Sequence, residues 1–509
     1  MAGDQGVTLN GLDLERATVL DLQRAMDAGT LSSAELTGFY LRRIEQLNPL
    51  LRAVIETNPR AIEEAAASDD HRRRHGGRGP LEGVPVLLKD NIDTADGMRT
   101  TAGSYALLGA RPARDAFHVR RLRAAGAVIL GKANLSEWAN FRSLKSSSGW
   151  SARGGQANNP YVLDRNPCGS SSGSAVAAAA NLAAVTIGTE TNGSIVCPAS
   201  TNGVVGLKPT VGLVSRQGIV PISAQQDTAG PITRNVTDAA AVLNVIQGVD
   251  PDDPATADAG PFADRDYLAA LDPEALAGRR IGVWREPAAD HPEVSAVLET
   301  VLAALASRGA TIVDPVELPG LTGTRLAELP ALLVEFKHDL NAYLAATPGE
   351  HPADLAGLIR FNLDHADVEL PYFGQEIFEQ AEATSGDLTD PAYLTERTTM
   401  TGTARAAIDT ALEVHQLDAI VAPSNGPAWR TDVAGGDDRS RFVSSSMPAA
   451  VSGYPNITVP AGYLHGVLPA GVSFIGPRFG EPTLLSIAYA FEQATTVRRP
   501  PTYLPTVPV

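Results

Sequence analysis

Cysteine is almost absent: Cys168 and Cys197 are the only two in 509 residues. Two are too few for a disulfide framework, so a reducing compartment is the simpler reading, with one isolated bridge left open. Long hydrophobic runs are missing as well. The most apolar stretch, residues 175–187, is Ala-rich and interrupted by Asn181, and it is shorter than the ~20 residues with which a helix crosses a bilayer. Near the N-terminus, Asp4, Asp13 and Glu15 stand where a secretory leader would place basic residues followed by an apolar segment. The chain as numbered is therefore expected to be cytoplasmic, with no membrane partner.

Basic charge is also scarce. Lys plus Arg number 41 against 58 Asp plus Glu, a formal net charge of −17, and a surface that acidic repels phosphate backbones and anionic lipids alike. Nucleic acid is thereby set aside as a partner. The one basic run, RRRHGGRG at residues 72–79, reads as a solvated turn that closes a helix. No segment repeats at a period of 20 to 50 residues. With 44% hydrophobic and 19% charged residues, the composition excludes disorder, collagen and coiled coil.

What is present is an alternation of strand-like and helix-like segments. Helices are expected over residues 20–28, 32–47 and 59–74, the second capped by Ser32 or Ser33 with Leu36, Tyr40, Leu41 and Ile44 on one stripe. From Leu81 the texture changes to short apolar strands separated by helices and glycine loops: GVPVLLKD, AGAVILGK and AAVTIGTE, then late in the chain LDAIVAP, PNITVPAG and AGVSFIG. This pattern predicts an α/β protein with a large mixed sheet covered by helices on both faces. The expected organisation is a single domain. It has a helical N-terminal segment (1–76), a core from 77–249 and 401–509, and a mainly helical excursion at 250–400.

Two Gly/Ser segments carry the chemistry, CGSSSGSAVAAAA at 168–180 and GTETNGSIVCPAS at 188–200. In the first, glycines and serines precede a helix, so backbone N–H groups face the loop. In the second, Gly188 and Gly193 flank a turn after a strand, and Gly193 lets a ligand approach the backbone. An oxyanion hole can be built here from N–H groups alone. Phosphate binding fails on detail, because neither segment contains the lysine of a P-loop or a G-x-G-x-x-G pattern. A serine nucleophile remains, and a serine needs a base.

None of the nine histidines lies in these segments, and Ser194 lacks the G-x-S-x-G elbow of the α/β-hydrolases. His71 and His75 share a helical i, i+4 spacing but have no third ligand motif, so they read as surface residues and no metal is expected. A buried lysine can replace histidine, because burial lowers its pKa and leaves a neutral amine. Lys89, at the end of the apolar strand VPVLL, is placed for this role. An ion pair with adjacent Asp90 is the equally weighted alternative.

Four ordered motifs resemble the amidase signature family of serine amidases. They are GVPVLLKDNID at 83–93, CGSSSGS at 168–174, GTETNGSIVCPAS at 188–200 and NGVVGLKPTVGLVSR at 202–216. A weaker tail from YPNITVPAG to GVSFIG extends the likeness to near the C-terminus. The resemblance implies a Ser-Ser-Lys triad of Lys89, Ser170 and Ser194, the two serines 24 positions apart. It implies that Ser194 attacks the carbonyl and that Ser170, behind a cis peptide, relays the proton to neutral Lys89. The backbone N–H groups of Thr191, Asn192, Gly193 and Ser194 would hold the oxyanion, with no metal or cofactor. Ser171 is the alternative relay serine. The chain departs from the family at Ser172, where the first glycine of a pair is usual, and at Asn192, where glycine or aspartate is common. Cys168 and Cys197 occupy no motif position and read as small buried hydrophobes rather than nucleophiles.

The stretches at 147–174 and 359–381 resemble the peptide amidase subgroup, which removes the C-terminal amide of peptides as ammonia. Aryl acylamidases and broad amidases are the near alternatives. A glutamine-hydrolysing component of an amidotransferase is the more distant one, and it would need a partner to receive its ammonia. A free-standing enzyme without an obligate protein partner is expected. Phe361, Tyr372, Phe373 and Phe378 either cover a hydrophobic acyl or peptide groove or belong to the core.

Overall fold

A computed structural model describes residues 7–508 except Arg439 and Arg441. The first part folds as three helices, α1 (Val19–Asp27), α2 (Ser33–Leu51) and α3 (Ala61–His75). The first two begin with reciprocal capping boxes, Thr18 with Asp21 and Ser32 with Glu35. These satisfy orphan N–H groups at the helix start and end the ambiguity between Ser32 and Ser33 in favour of Ser32.

The core is one eleven-stranded mixed sheet. In chain order its strands are β1 (Val54–Thr57), β2 (Pro85–Lys89), β3 (Val128–Ala133), β4 (Val185–Glu190), β5 (Val205–Lys208) and β6 (Thr228–Thr233). They continue with β7 (Arg280–Val283), β8 (Thr311–Val313), β9 (Ala419–Pro423), β10 (Asn456–Leu464) and β11 (Leu468–Ile475). Their spatial order is β8-β7-β9-β11-β10-β5-β6-β4-β2-β3-β1. The run β3-β2-β4 and the run β8-β7-β9 are parallel, and the pairings between and beyond them are antiparallel.

Every residue of β2, β3, β4, β6, β9 and β11 is buried. Successive side chains of a strand point to opposite faces, so continuous burial means that both faces are covered. Helices Ser172–Ala179, Val236–Ile246, Pro292–Ser307 and Glu481–Thr495 pack on the sheet. Both edges come from segments expected to be helical: β1 from the N-terminal part, and β7 and β8 from the excursion. These strands are three or four residues long, too short to carry a period-2 signal beside longer helical patterns.

Four more helices frame the site: α4 (Ser172–Ala179), α5 (Val196–Thr201), α6 (Leu321–Ala346) and α7 (Pro391–Val414). All eight residues of α4 are buried, which its small side chains allow by packing closely on every side. In the excursion, α6 and α7 pack against each other. Among the described residues no helix is long and apolar enough to cross a membrane.

Candidate active site

Adjacent parallel strands bring the motifs together. Lys89 ends β2, and β2 pairs with β4 through Val86–Val185, Leu87–Thr186 and Leu88–Ile187. Thr189 near the end of β4 therefore lies beside the lysine. The Lys89 side chain is fully buried, and its Nζ lies 2.7 Å from Ser170 Oγ, 2.8 Å from Thr189 Oγ1 and 3.2 Å from Thr189 O. Burial lowers its pKa to about 7, opposed by the carboxylates of Asp227 and Glu190. A neutral amine has two N–H bonds and one lone pair. Donating to the two Thr189 oxygens turns the lone pair toward Ser170. Asp90 does not pair with Lys89: its carboxylate accepts from the Thr101 hydroxyl and from Gly103 N (3.1 Å), with Arg153 3.7 Å away.

Ser170 follows a cis peptide bond from Gly169 and is fully buried. Ser171 is committed elsewhere. Its hydroxyl donates to Thr189 O (2.9 Å) and accepts from Thr189 N (3.1 Å), which ties the serine loop to β4. The lysine's partner is thus Ser170. Ser172 Oγ donates to Cys168 O at 2.6 Å, closing the turn in which a glycine was expected.

Ser194 is half-buried and faces a cleft of about 580 Å³, whose wall includes Thr191, Asn192 and Gly193. Its carbonyl accepts from Ser171 N at 3.1 Å, so the two serine loops touch directly. Glu190 shapes this turn by accepting from the amides of Gly193 (2.8 Å), Ile195 (2.7 Å) and Val196 (3.0 Å). The Gly193 N–H, expected to serve an oxyanion, is therefore already engaged. The amides of Thr191, Asn192 and Ser194 make no hydrogen bond among the described residues. Gly193 has a different use: its φ of +84° is in the left-handed region, and a Cβ there would sit 3.0 Å from Ser446 Oγ.

Polar side chains that the sequence did not single out hold the turn from outside. Thr191 Oγ1 donates to Asp227 at 2.6 Å, and Asp227 also accepts from the Ile222 and Ser223 amides. Burial raises the Asp227 pKa to about 6. Asn192 accepts from Ser446 Oγ (2.6 Å) and donates Nδ2 to both Glu328 oxygens (2.8 and 3.0 Å). Gln226 donates to Glu328 (3.0 Å) and accepts from Arg397 (2.7 Å). Burial pushes the Glu328 carboxyl above its usual range. Glu190 lies inside a motif and was open to notice. Glu328 and Arg397 reach the site from α6 and α7, and no local pattern announces them.

The two cysteines are joined. The Cys168–Cys197 disulfide spans Cα atoms 6.0 Å apart and links the loop before Ser170 to α5, just after Ser194. Neither cysteine is a free thiol, and the cysteine count no longer argues for a reducing compartment.

The aromatics of the excursion belong largely to the core. Phe378 packs on Trp138 and Phe336, and Phe373 lies between the Arg142 guanidinium and Trp150. Tyr372 is exposed and meets Trp150 edge-on, while Phe361 stacks on His365. None of the four lines the cleft. Its apolar lining includes instead Phe141, Ile222, Trp429, Phe442 and Met447, and from the excursion Trp284, Leu329, Leu332 and Ile377. The excursion does cover the site, with one aromatic that the sequence did not single out and with aliphatic side chains. His71 and His75 sit at the end of α3 with rings 5.0 Å apart. Among the described residues no three His, Cys, Asp or Glu side chains converge as a metal site requires.

The mixed sheet thus sets a buried lysine against one serine and leaves a second serine facing the cleft. The chain belongs to the amidase family, whose family model matches residues 35–485, and it is an amide hydrolase by that membership. Peptide amidase from Stenotrophomonas maltophilia superposes with a TM-score of 0.91 at 54% identity, covering 96% of this chain and 99% of that one. A probable amidase of Arabidopsis thaliana is 46% identical over 499 residues, covering 96% of this chain and 92% of that protein. A glutamyl-tRNA(Gln) amidotransferase component of Moorella thermoacetica is 36% identical over 513 residues, covering 96% of this chain and 98% of that protein.

Proposed function

We propose that this chain hydrolyses the C-terminal amide of peptides to the free acid and ammonia through an acyl-enzyme on Ser194. The observation that carries the mechanism is the buried contact between Lys89 Nζ and Ser170 Oγ at 2.7 Å. In the proposed cycle Ser194 Oγ bonds to the amide carbon while its proton passes to Ser170, and the Ser170 proton passes to Lys89. Returned along the same path, the proton reaches the amide nitrogen, the C–N bond breaks, and ammonia leaves. Water then repeats the sequence on the ester and frees Ser194. Unengaged N–H groups of Thr191, Asn192 and Ser194 would hold the negative oxygen, each worth about 10²-fold in rate by analogy with other oxyanion holes.

The likeness to peptide amidase supports the substrate class, as does the cleft itself, whose volume of about 580 Å³ is lined by both apolar and polar residues. The same reading has the chain working without an obligate protein partner or cofactor. The test is ammonia release from a C-terminally amidated dipeptide, beside a simple anilide and glutamine, by wild type and Ser194→Ala. Release from the peptide amide that is lost in the variant is expected. Preference for the anilide would move the chain to the acylamidases, and turnover of glutamine alone would point to a missing partner.

A further inference from the structure

A second cavity of about 380 Å³ adjoins the catalytic cleft, and Trp429 and Phe442 line both. Their rings meet edge to face with centroids 6.0 Å apart, where the two spaces share their lining. Its other apolar lining is Ala428, Leu468 and Val507, with Asp438 and His465 beside them. Arg165 and Arg430 also line it, and both are paired with Asp164, at 3.4 and 3.9 Å.

Besides the ion-paired Arg165, two residues that line the cavity carry a buried polar atom with no partner among the described residues. Asn425 is 2% exposed and lines the cavity; its Nδ2 donates to Val443 O at 3.0 Å, but its Oδ1 accepts nothing. The buried indole N–H of Trp429 donates to nothing. Leaving such groups unpaired is costly, and native proteins rarely do so without a use. An unpaired acceptor and an unpaired donor beside one apolar cavity match a secondary amide, which offers one N–H and one C=O. Asn425 also bridges to Ser444, which lines the catalytic cleft.

We infer that the second cavity is a subsite for the upstream part of a peptide amide, binding one backbone amide between Asn425 Oδ1 and Trp429 Nε1 and an apolar side chain against Ala428, Leu468 and Val507. This rests on the peptide-amide reading of the Ser194 cleft and deepens it: the preferred substrate is a peptide with an apolar residue upstream, rather than a single amidated amino acid.

The test is kcat/KM for ammonia release along a series from N-acetyl-leucinamide to di-, tri- and tetrapeptide amides. The longer members carry either leucine or aspartate at the upstream end. Once the chain reaches the cavity, an increase of about tenfold is expected for leucine over the shortest substrate, the size of one or two hydrogen bonds plus a partly buried side chain. Aspartate should gain little. In Val507→Trp, which fills the cavity from its outer side, the ratio of long to short substrate should fall toward one. Equal efficiency along the wild-type series, or an advantage retained in Val507→Trp, would overturn the subsite alone. Absence of release from every member would overturn the peptide-amide reading and the subsite with it.

Discussion

Asn192 donates its side-chain amide to both carboxylate oxygens of Glu328, at 2.8 and 3.0 Å, and so joins the turn that carries Ser194 to a helix of the excursion 136 positions away. A glycine in place of Asn192 would leave Glu328 with Gln226 alone and the turn without this tether. Asn192→Gly is expected to lower kcat about tenfold, in line with the loss of hydrogen bonds to a charged group. Glu328→Gln should do somewhat less. The double variant should lose less than the sum of the two single changes, because both act on the shared Asn192–Glu328 contact, and steady-state kinetics on all three variants would expose additive losses if they acted separately.

The pH profile follows from Lys89. With its pKa held at about 7 by burial, the protonated form dominates below that value and has no lone pair to receive the Ser170 proton. kcat/KM should therefore rise with pH through about 7 and fall about tenfold per unit well below it. A profile flat from pH 6 to 9 would remove Lys89 from the role of base.

The same lysine should weigh on stability. Its pKa is 10.5 when unfolded and about 7 when folded, so between those values unfolding takes up a proton and falling pH favours the unfolded chain. Replacing Lys89 by Met removes this term. The stability of Lys89→Met relative to wild type should grow as pH drops from about 10.5 to about 7, by up to about 5 kcal/mol, and level off below. Denaturant titrations at pH 7 and 9.5 would read the trend, while activity is lost throughout.

The bridge between Cys168 and Cys197 closes a loop of 29 positions in sequence. Changing both to Ala is expected to cost about 2–4 kcal/mol. Dithiothreitol should lower the melting temperature of wild type to that of the double variant and leave the variant unmoved. Both cysteines line the cleft, which gives the reductant access.

The pairing of Lys89 with a serine loop was legible only through the likeness of the motifs to the amidase signature family, whereas the central strands were legible because VPVLL, AVILG and AAVTI are continuous apolar runs. The choice between Asp90 and Ser170 as the lysine's neighbour was not, since it depends on which strand lies beside β2. The disulfide was open for a similar reason. Cys168 and Cys197 meet because Ser171 and Ser194 meet, a contact made by folding rather than by spacing. Glu328, Gln226 and Arg397 carry no local signature at all. Phe373 and Phe378 sit in a segment that faces the site, yet their rings do not line the cleft, whose apolar lining from the excursion is Trp284, Leu329, Leu332 and Ile377.

Lys89 and Thr189 stand on neighbouring strands of one ladder, so the spacing of the buried amine from its partners is set by backbone hydrogen bonding, which all such sheets share. Part of the wall that meets a substrate comes from elsewhere, from helices inserted between Leu321 and Val414. Chemistry and a share of the selectivity are thus encoded in separable stretches of chain. Exchanging the inserted helices for those of another family member should transplant the choice of amide while the bond-breaking centre stays intact, provided the residue facing Asn192 travels with a partner for it.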